Sequence, residues 1–433
     1  MENRKTEKHT SPWLWIPSLY IGEGLPNVIV VMVAVYMYAQ LGMKDTEIAL
    51  YTSWLGLPWV IKPLWSPFVD LFKTKRWWVL LMQVLLGSSL AGVAFTLKTP
   101  FWFQGTMFCF FLMAFFSATH DIAADGFYMI GLSEHQQVWF VGLRNMFYRV
   151  AVVFGNVVLV YLAGHLQLLF RNKEAFTWSL VFYGVAGLFI GLGLFHSWAM
   201  PKADADKPRS YATASGVLHG IVDMLVSFFT RLPAKQMIIA LLFVLFYRFP
   251  EALLGKMSTT FLLRPNSAGG LGLSPQEFTY AYGTFGVIGL ILGGILGGWL
   301  ASRDGLKKWL WPMVCAITFP DIVYVWMSYA MPSSLPIIST CLFIEQFGYG
   351  LGFTVLTLYM LYFCRGEYKT SHYAFCTGIS YLGLMLPGMV SGYLKDAMGY
   401  RSFFILVMVL CTITFIVAAL IKIDPEFGKK TQE

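Results

Sequence analysis

Two aspartates four residues apart, Asp121 and Asp125, are the clearest candidates for proton chemistry in this sequence. They lie inside a long apolar stretch, and side chains four residues apart share one face of a helix. Two carboxylates on one face of low dielectric do not both stay ionised without compensating charge. We therefore expect one of them to bind a proton reversibly, in contrast to the alternative that both serve only as structural ion pairs.

His120 precedes this pair and adds a group that titrates near neutral pH. It is a candidate member of a proton relay, and the alternative is a histidine that is simply hydrogen-bonded in the protein core.

Other ionisable residues also interrupt apolar stretches, where each costs at least about 2.5–3.5 kcal/mol at the centre of a bilayer. Such groups should face a bundle interior or a wet cavity and have a partner. Arg149 is the first substrate-binding candidate, because a guanidinium offers a fixed fork of donors to a carboxylate or phosphate; an ion pair with Asp121 or Asp125 is the alternative. The remaining candidates for substrate binding are Arg248, Glu251, Glu345, Tyr148 and Glu23. The candidates for a gating or structural charge network are Lys62, Asp70, Arg144 and Arg76.

The composition indicates the elements that must position these groups. Of 433 residues, 57% are hydrophobic and only 12% charged, with a mean hydropathy of +0.63, whereas soluble domains carry about a quarter charged residues. A soluble enzyme, a disordered chain and a nucleic-acid-binding module are poor interpretations of these values. The net charge of +8 fits basic residues that collect in cytoplasmic loops.

Twelve apolar stretches are each long enough to cross a bilayer. They span approximately residues 14–41, 47–69, 78–97, 101–131, 137–163, 175–199, 235–262, 276–301, 309–331, 335–363, 372–394 and 402–421. Their continuous apolar character excludes the alternating pattern of barrel strands. We therefore predict an all-α membrane protein of twelve transmembrane helices in two six-helix bundles.

The longest polar interval divides the chain into residues 1–199, a cytoplasmic linker at 200–234 with an amphipathic helix from Val217 to Phe229, and residues 235–433. Basic residues are concentrated on the side of the membrane that would hold both termini, which predicts cytoplasmic termini.

Prolines predict breaks at corresponding positions of the two halves. Pro250 lies between Arg248 and Glu251 in the seventh stretch, and Pro26 follows Glu23 in the first. Broken helices expose backbone polar groups and often line binding sites; a simple packing kink is the alternative.

Glycines at four-residue spacing predict close helix contacts. They are Gly289, Gly293 and Gly297 in the eighth stretch and Gly348 and Gly352 in the tenth.

No catalytic or cofactor motif stands in a credible context. The six cysteines form no CxxC pair, and no phosphate-binding loop, dinucleotide turn or metalloprotease motif is present. We therefore expect no enzyme activity, no cofactor and no metal ligand set. The rival classes are a membrane-embedded enzyme and a non-transporting receptor, which should show a catalytic cluster or an extra soluble domain.

Several segments resemble known transporter motifs. The loops at 68–76 (FVDLFKTKR) and 298–308 (GWLASRDGLKK) resemble the signature of the major facilitator superfamily, although Ser302 stands where the second copy has its acid. Segments 62–70 (KPLWSPFVD) and 117–126 (SATHDIAADG) resemble the helix-two and helix-four motifs of the AmpG muropeptide permeases, with His120 in place of the usual glutamine. Segments 148–149 (YR) and 259–264 (TTFLLR) resemble others of that family.

The resemblance implies a proton-coupled importer of cell-wall muropeptides or anhydro-amino-sugar fragments, working by alternating access in a bacterial inner membrane. Another oligosaccharide or an anionic CoA-type solute is the alternative substrate, because acetyl-CoA transporters share the motifs. The implied partners are the small-molecule substrate, protons and the lipid bilayer, without nucleic acid, and the superfamily suggests a monomer.

Overall fold

The computed structural model of the chain describes residues 11–43, 45–171, 173–203, 205–207, 214–366 and 368–429. These residues form helices and their connections, and no strand occurs among them. The predicted cytoplasmic ends at 1–10 and 430–433, and linker positions 204 and 208–213, lie outside the described residues.

Five of the first six predicted stretches form long helices. Their bounds are Pro12–Gln40 (α1), Lys75–Thr96 (α3), Trp102–Gly131 (α4), Glu134–Leu169 (α5) and Glu174–Ala199 (α6). The start of α3 is fixed by Thr74, whose hydroxyl accepts a hydrogen bond from the Trp77 backbone N–H at 3.1 Å, and such a cap satisfies one free donor of the first turn.

The second stretch, α2, differs from the single helix predicted over 47–69. It consists of three short helices, Asp45–Trp54, Leu57–Ile61 and Ser66–Leu71, with a 3₁₀ turn at Lys62–Leu64 between the last two. Pro58, Pro63 and Pro67 explain the interruptions, because proline removes a donor and clashes with the preceding turn.

The second half follows the same plan. Its helices are Ala234–Leu263 (α7), Gln276–Asp304 (α8), Leu306–Ala330 (α9) and Leu335–Phe363 (α10). The continuous helical segment Lys369–Leu420 contains a sharp kink at Gly399, whose φ of 74° lies in the left-handed region, where glycine alone is unstrained. The kink separates α11 (369–398) from α12 (400–420), so the twelve predicted helices are confirmed within the described ranges.

The two predicted helix breaks have different outcomes. At Pro250 the prediction is confirmed: α7 consists of Ala234–Phe246 and Phe249–Leu263, with Arg248 outside helical geometry between them. At Pro26 the predicted break is wrong, because α1 continues through the proline into a π-helical turn at Ile29–Val33. The Ile29 N–H bonds to the carbonyls of Leu25 and Pro26, so helical hydrogen bonding resumes directly after the proline.

The described residues form two compact units. Unit 1 comprises the described parts of Met1–Leu132, Phe147–Val222 and Lys369–Ala374, and unit 2 those of Ser133–Met146, Asp223–Tyr368 and Phe375–Glu433. A helix at Ala214–Thr230 precedes α7. The three-part division predicted from the polar interval remains a prediction.

Glycines provide the close helix contacts of unit 2. A Cβ on Gly293 of α8 would lie 2.0 Å from the Phe347 carbonyl oxygen of α10, and one on Gly348 would lie 2.0 Å from the Ala316 oxygen of α9. A Cβ on Gly142 of α5 would lie 2.2 Å from the Gly294 oxygen of α8. The packing role predicted from the glycine spacing is confirmed at these contacts.

Candidate functional site

Three carboxyl groups meet between α1 and α4 in unit 1. One oxygen each of Glu23, Asp121 and Asp125 lies within 4.8 Å of the other two. Glu23 and Asp125 are buried, with 8% and 4% exposure. The Tyr20 hydroxyl donates to Asp125 Oδ1 at 3.3 Å. The structure therefore brings the aspartate pair together with Glu23, which the sequence analysis had assigned to substrate binding.

Lys62 supplies positive charge to this triad. Its ammonium forms an ion pair with Asp121, and the lysine side chain is only 6% exposed. The same ammonium lies within electrostatic range of Asp125 and Glu23. The 3₁₀ turn at Lys62–Leu64, which the flanking prolines impose on α2, places the side chain there.

Arg149 occupies a different environment from Lys62. It is partly buried on α5 and forms no hydrogen bond or ion pair with any residue in the part of the chain that the structure describes. Its neighbour Tyr148 lies where α1 and α5 approach, since a Cβ on Gly24 would lie 2.9 Å from the Tyr148 carbonyl oxygen. The donors of Arg149 are thus not used by the described protein groups.

His120 belongs to a buried chain of hydrogen bonds. Its Nε2 lies 3.1 Å from Gln83 Nε2, and the Gln83 amide also contacts His196 Nδ1 at 2.8 Å. His196 Nε2 lies 2.9 Å from the Ser18 hydroxyl. If Gln83 donates to both rings, both imidazoles are neutral acceptors at those nitrogens. Gln83 and His196 were not anticipated, because no local pattern in the sequence relates them to His120.

Asp70 joins the end of α2 to the start of α11 within unit 1. Its Oδ1 pairs with Lys75 Nζ at 2.8 Å, and its Oδ2 accepts from the Ser371 backbone N–H at 2.9 Å and from the Ser371 hydroxyl at 2.5 Å. A carboxylate at a helix N-terminus is favoured by the free N–H groups and the dipole there.

The four predicted network residues lie in different surroundings, and their joint role stays a prediction. Lys62 pairs with Asp121, and Asp70 pairs with Lys75. Arg76 instead donates to the carbonyls of Met200 and Ser197 at the end of α6. Arg144 is buried in unit 2, with 7% exposure.

A second carboxyl triad lies in unit 2. One oxygen each of Glu251 (α7), Asp321 (α9) and Glu345 (α10) lies within 4.8 Å of the other two. Arg248 forms no ion pair with Glu251; it donates to the Tyr349 hydroxyl and lies 4.7 Å from the centre of the Phe353 ring. The proline-induced break at Arg248 turns the guanidinium toward α10.

Comparison with known proteins identifies the family. The model of the BT1 family matches residues 23–309, and that of the Major Facilitator Superfamily matches residues 252–433. The chain belongs to the BT1 family.

Individual relatives of this BT1-family chain are distant but cover most of its length. It is 25% identical over 403 residues to the putative transporter AmpG 4 of Rickettsia conorii, covering 90% of this chain and 92% of that protein. It is 23% identical over 367 residues to the anhydromuropeptide permease of Escherichia coli K12, covering 83% and 70%.

Solved structures show the fold of this BT1-family chain. A crystal structure of the fucose:proton symporter FucP of E. coli aligns with a TM-score of 0.70 at 13% identity, covering 95% of this chain and 99% of that one. FucP in the outward conformation aligns with a TM-score of 0.68 at 14% identity. The chain therefore has the major facilitator fold and is a multi-pass membrane transporter rather than an enzyme.

Proposed function

We propose that this transporter imports cell-wall muropeptides or their anhydro-amino-sugar fragments together with protons across a bacterial inner membrane, with both termini in the cytoplasm. The observation that carries proton coupling is the meeting of Glu23, Asp121 and Asp125, with the ammonium of Lys62 bonded to Asp121. Carboxyl groups gathered in a buried place do not all stay ionised, so one of them can take up and release a proton. Alternating exposure of the triad to the two sides would then couple proton movement to that of the solute.

The substrate proposal depends on the relatives and on the arginines. A relative that aligns with 83% of the chain carries the name anhydromuropeptide permease. A muropeptide has peptide carboxylates, and Arg149 has a guanidinium not used by the described protein groups. Bidentate pairing of such a group with a carboxylate is geometrically favoured. Arg248, held by Tyr349, is the second candidate anchor.

The decisive experiment is uptake into proteoliposomes that contain the purified full-length protein. Labelled anhydromuropeptide, the same disaccharide without its peptide, and acetyl-CoA are offered with and without an inwardly directed proton gradient. We expect gradient-driven accumulation of the muropeptide and weaker uptake of the peptide-free sugar. Accumulation of acetyl-CoA alone would favour the anionic alternative, and equal muropeptide uptake without a gradient would contradict proton coupling.

The role of Arg149 is tested in the same assay. Arg149→Gln should raise the KM for muropeptide and have little effect on the peptide-free sugar, because only the former offers carboxylates. Arg171→Gln, an exposed arginine in the connection after α5, is the matched control and should change neither KM. A similar rise for both solutes would argue that Arg149 is structural.

A further inference from the structure

The carboxyl triad of unit 2 is deeply buried. Glu251, Asp321 and Glu345 are 9%, 2% and 3% exposed, and they come from three different helices, α7, α9 and α10. Asp321 ends a 3₁₀ turn at Phe319–Asp321 that interrupts α9, and Glu251 lies in the first turn after the break of α7. The interruptions of α7 and α9 therefore lie next to Glu251 and Asp321, the carboxylates that these helices contribute to the triad.

Only some of the carboxyl oxygens in this triad have hydrogen-bond donors among the described residues. Gln346 Nε2 lies 3.0 Å from both carboxylate oxygens of Glu345, and the Tyr324 hydroxyl donates to Oε2 at 3.5 Å. The thiol of Cys411, which is a weak donor, lies 3.8 Å from Asp321 Oδ2. Oε1 of Glu251, a side chain more than nine-tenths buried, has no hydrogen-bond partner among the described residues.

Within the described part of the chain, no basic side chain forms an ion pair with the cluster. None of the lysines and arginines placed there forms an ion pair with any of the three carboxylates. The guanidinium of Arg248 lies within electrostatic range of Glu251 but donates its hydrogen bond to the Tyr349 hydroxyl. Buried carboxylates without pairing or coordination are strongly disfavoured, because burial removes their hydration.

The carboxyl triad of unit 1 differs from that of unit 2 in having a bonded ammonium. There, three carboxyl groups within the same 4.8 Å limit have the ammonium of Lys62 bonded to one of them. A lysine ammonium is a compact, tethered monovalent cation. In its described ranges unit 2 has three carboxyl groups without such a bonded ammonium, and a monovalent cation from solution would supply the corresponding charge.

We propose that Glu251, Asp321 and Glu345 bind one sodium ion, which supplies to unit 2 the positive charge that Lys62 supplies to unit 1. The donors are all oxygens, and hard cations prefer carboxylate, hydroxyl and carbonyl oxygens. Pro250 and Pro320 lie beside two of the ligands and have no N–H for the preceding turn, and interrupted helices of this kind contribute backbone carbonyls to cation sites in transporters.

The site does not depend on the identity of the transported solute, so it is tested without any substrate. Binding of ²²Na⁺ to the purified full-length protein in nanodiscs is measured at constant pH, with Li⁺, K⁺, Mg²⁺ and choline as competitors. We expect saturable binding of one ion per chain. Asp321→Asn and Glu345→Gln should each weaken it about tenfold or more, on the scale known for disturbed metal sites.

Two further variants provide a control and a second test of the sodium site. Asp396→Asn, whose carboxylate is 73% exposed on α11, is the control and should bind ²²Na⁺ as the wild type does. Gln346→Lys retains all three carboxylates, places an ammonium beside Glu345, and should abolish sodium binding in a protein that remains monodisperse by size exclusion.

Wild-type protein that binds no ²²Na⁺, or binding that survives both Asp321→Asn and Glu345→Gln, would overturn the proposal. Preferential displacement by Mg²⁺ would also overturn it, because the comparison with Lys62 calls for a single charge. Muropeptide uptake by the same preparation is measured separately, so loss of the sodium site and loss of the proposed transport activity remain distinguishable.

Discussion

The ammonium of Lys62 is bonded to the carboxylate of Asp121, although 59 residues separate them in the chain and both side chains are largely buried. This pair fixes the α2 turn against α4 at the position where Glu23 and Asp125 also meet. It is thus both a structural contact and the fixed charge beside which a coupling proton would bind.

Replacing one residue of this pair should lower the free energy of unfolding more than replacing both. Lys62→Met leaves Asp121 buried without its cation and should lower the free energy of unfolding by about 3–5 kcal/mol, whereas Lys62→Met with Asp121→Leu should recover part of that loss. The free energies of unfolding of the wild type, the two single variants and the double variant, measured in detergent, give the coupling energy between Lys62 and Asp121.

The exposed pair of Lys395 and Asp396 is the control for this cycle. Lys395→Met should have little effect, since exposed pairs contribute little. Equal effects of Lys62→Met and Lys395→Met would contradict the assigned importance of the buried pair.

The close approach of α5 and α8 depends on Gly142. A methyl group there would lie 2.2 Å from the Gly294 carbonyl oxygen, so Gly142→Ala must separate the helices and should cost about 1–3 kcal/mol or more. Gly164 lies on the same helix with no heavy atom within 4 Å of an added Cβ, and Gly164→Ala is the matched control. Thermal unfolding monitored by aggregation distinguishes them; a stable, fully active Gly142→Ala protein would show that the contact is dispensable.

Asp70 and Ser371 form the contact between the ends of α2 and α11. Asp70→Ala leaves the buried Lys75 ammonium without its partner and should destabilise the protein by about 3–5 kcal/mol. Ser371→Ala removes only the hydroxyl bond and should cost about 1.5–3 kcal/mol.

The control for that contact is Ser88→Ala, which removes a hydroxyl bonded only to Val84 of its own helix. Its unfolding midpoint should be close to that of the wild type. If Ser371→Ala behaves like Ser88→Ala, the contact between α2 and α11 does not contribute as assigned.

His120 has two open roles that one substitution separates. Glutamine, the residue usual in the AmpG family, can maintain the hydrogen bond to Gln83 but cannot take up a proton. Because His120 is fully buried and bonded to Gln83, we expect His120→Gln to retain gradient-driven uptake within about twofold, while His120→Leu loses stability by about 1–3 kcal/mol through the unsatisfied amide. Loss of proton-driven uptake in His120→Gln, with folding intact, would instead assign the histidine to the relay.

Hydropathy predicts the twelve helices well because an uninterrupted apolar stretch in lipid has few alternatives to a helix. At Pro26 the break did not occur: α1 continues through the proline and into a π-helical turn at Ile29–Val33. The composition alone does not distinguish this outcome from the true break at Pro250.

The candidate site was less predictable than the helices. The spacing of Asp121 and Asp125 indicates a shared face, but the pairing of Lys62 with Asp121 depends on where the α2 turn lies in space. The contact of Asp70 with Ser371 spans 301 residues, and the triad of Glu251, Asp321 and Glu345 combines three helices. Such contacts depend on the packing between helices, which a local sequence pattern does not determine.

The proposed coupling of solute movement to protons by the carboxyl triad of unit 1 is tested by Asp125→Asn. In proteoliposomes with an imposed proton gradient, this variant should lose accumulation of anhydromuropeptide against its concentration gradient but still exchange internal for external solute, with Asp396→Asn accumulating normally. Full gradient-driven accumulation by Asp125→Asn would contradict the assignment.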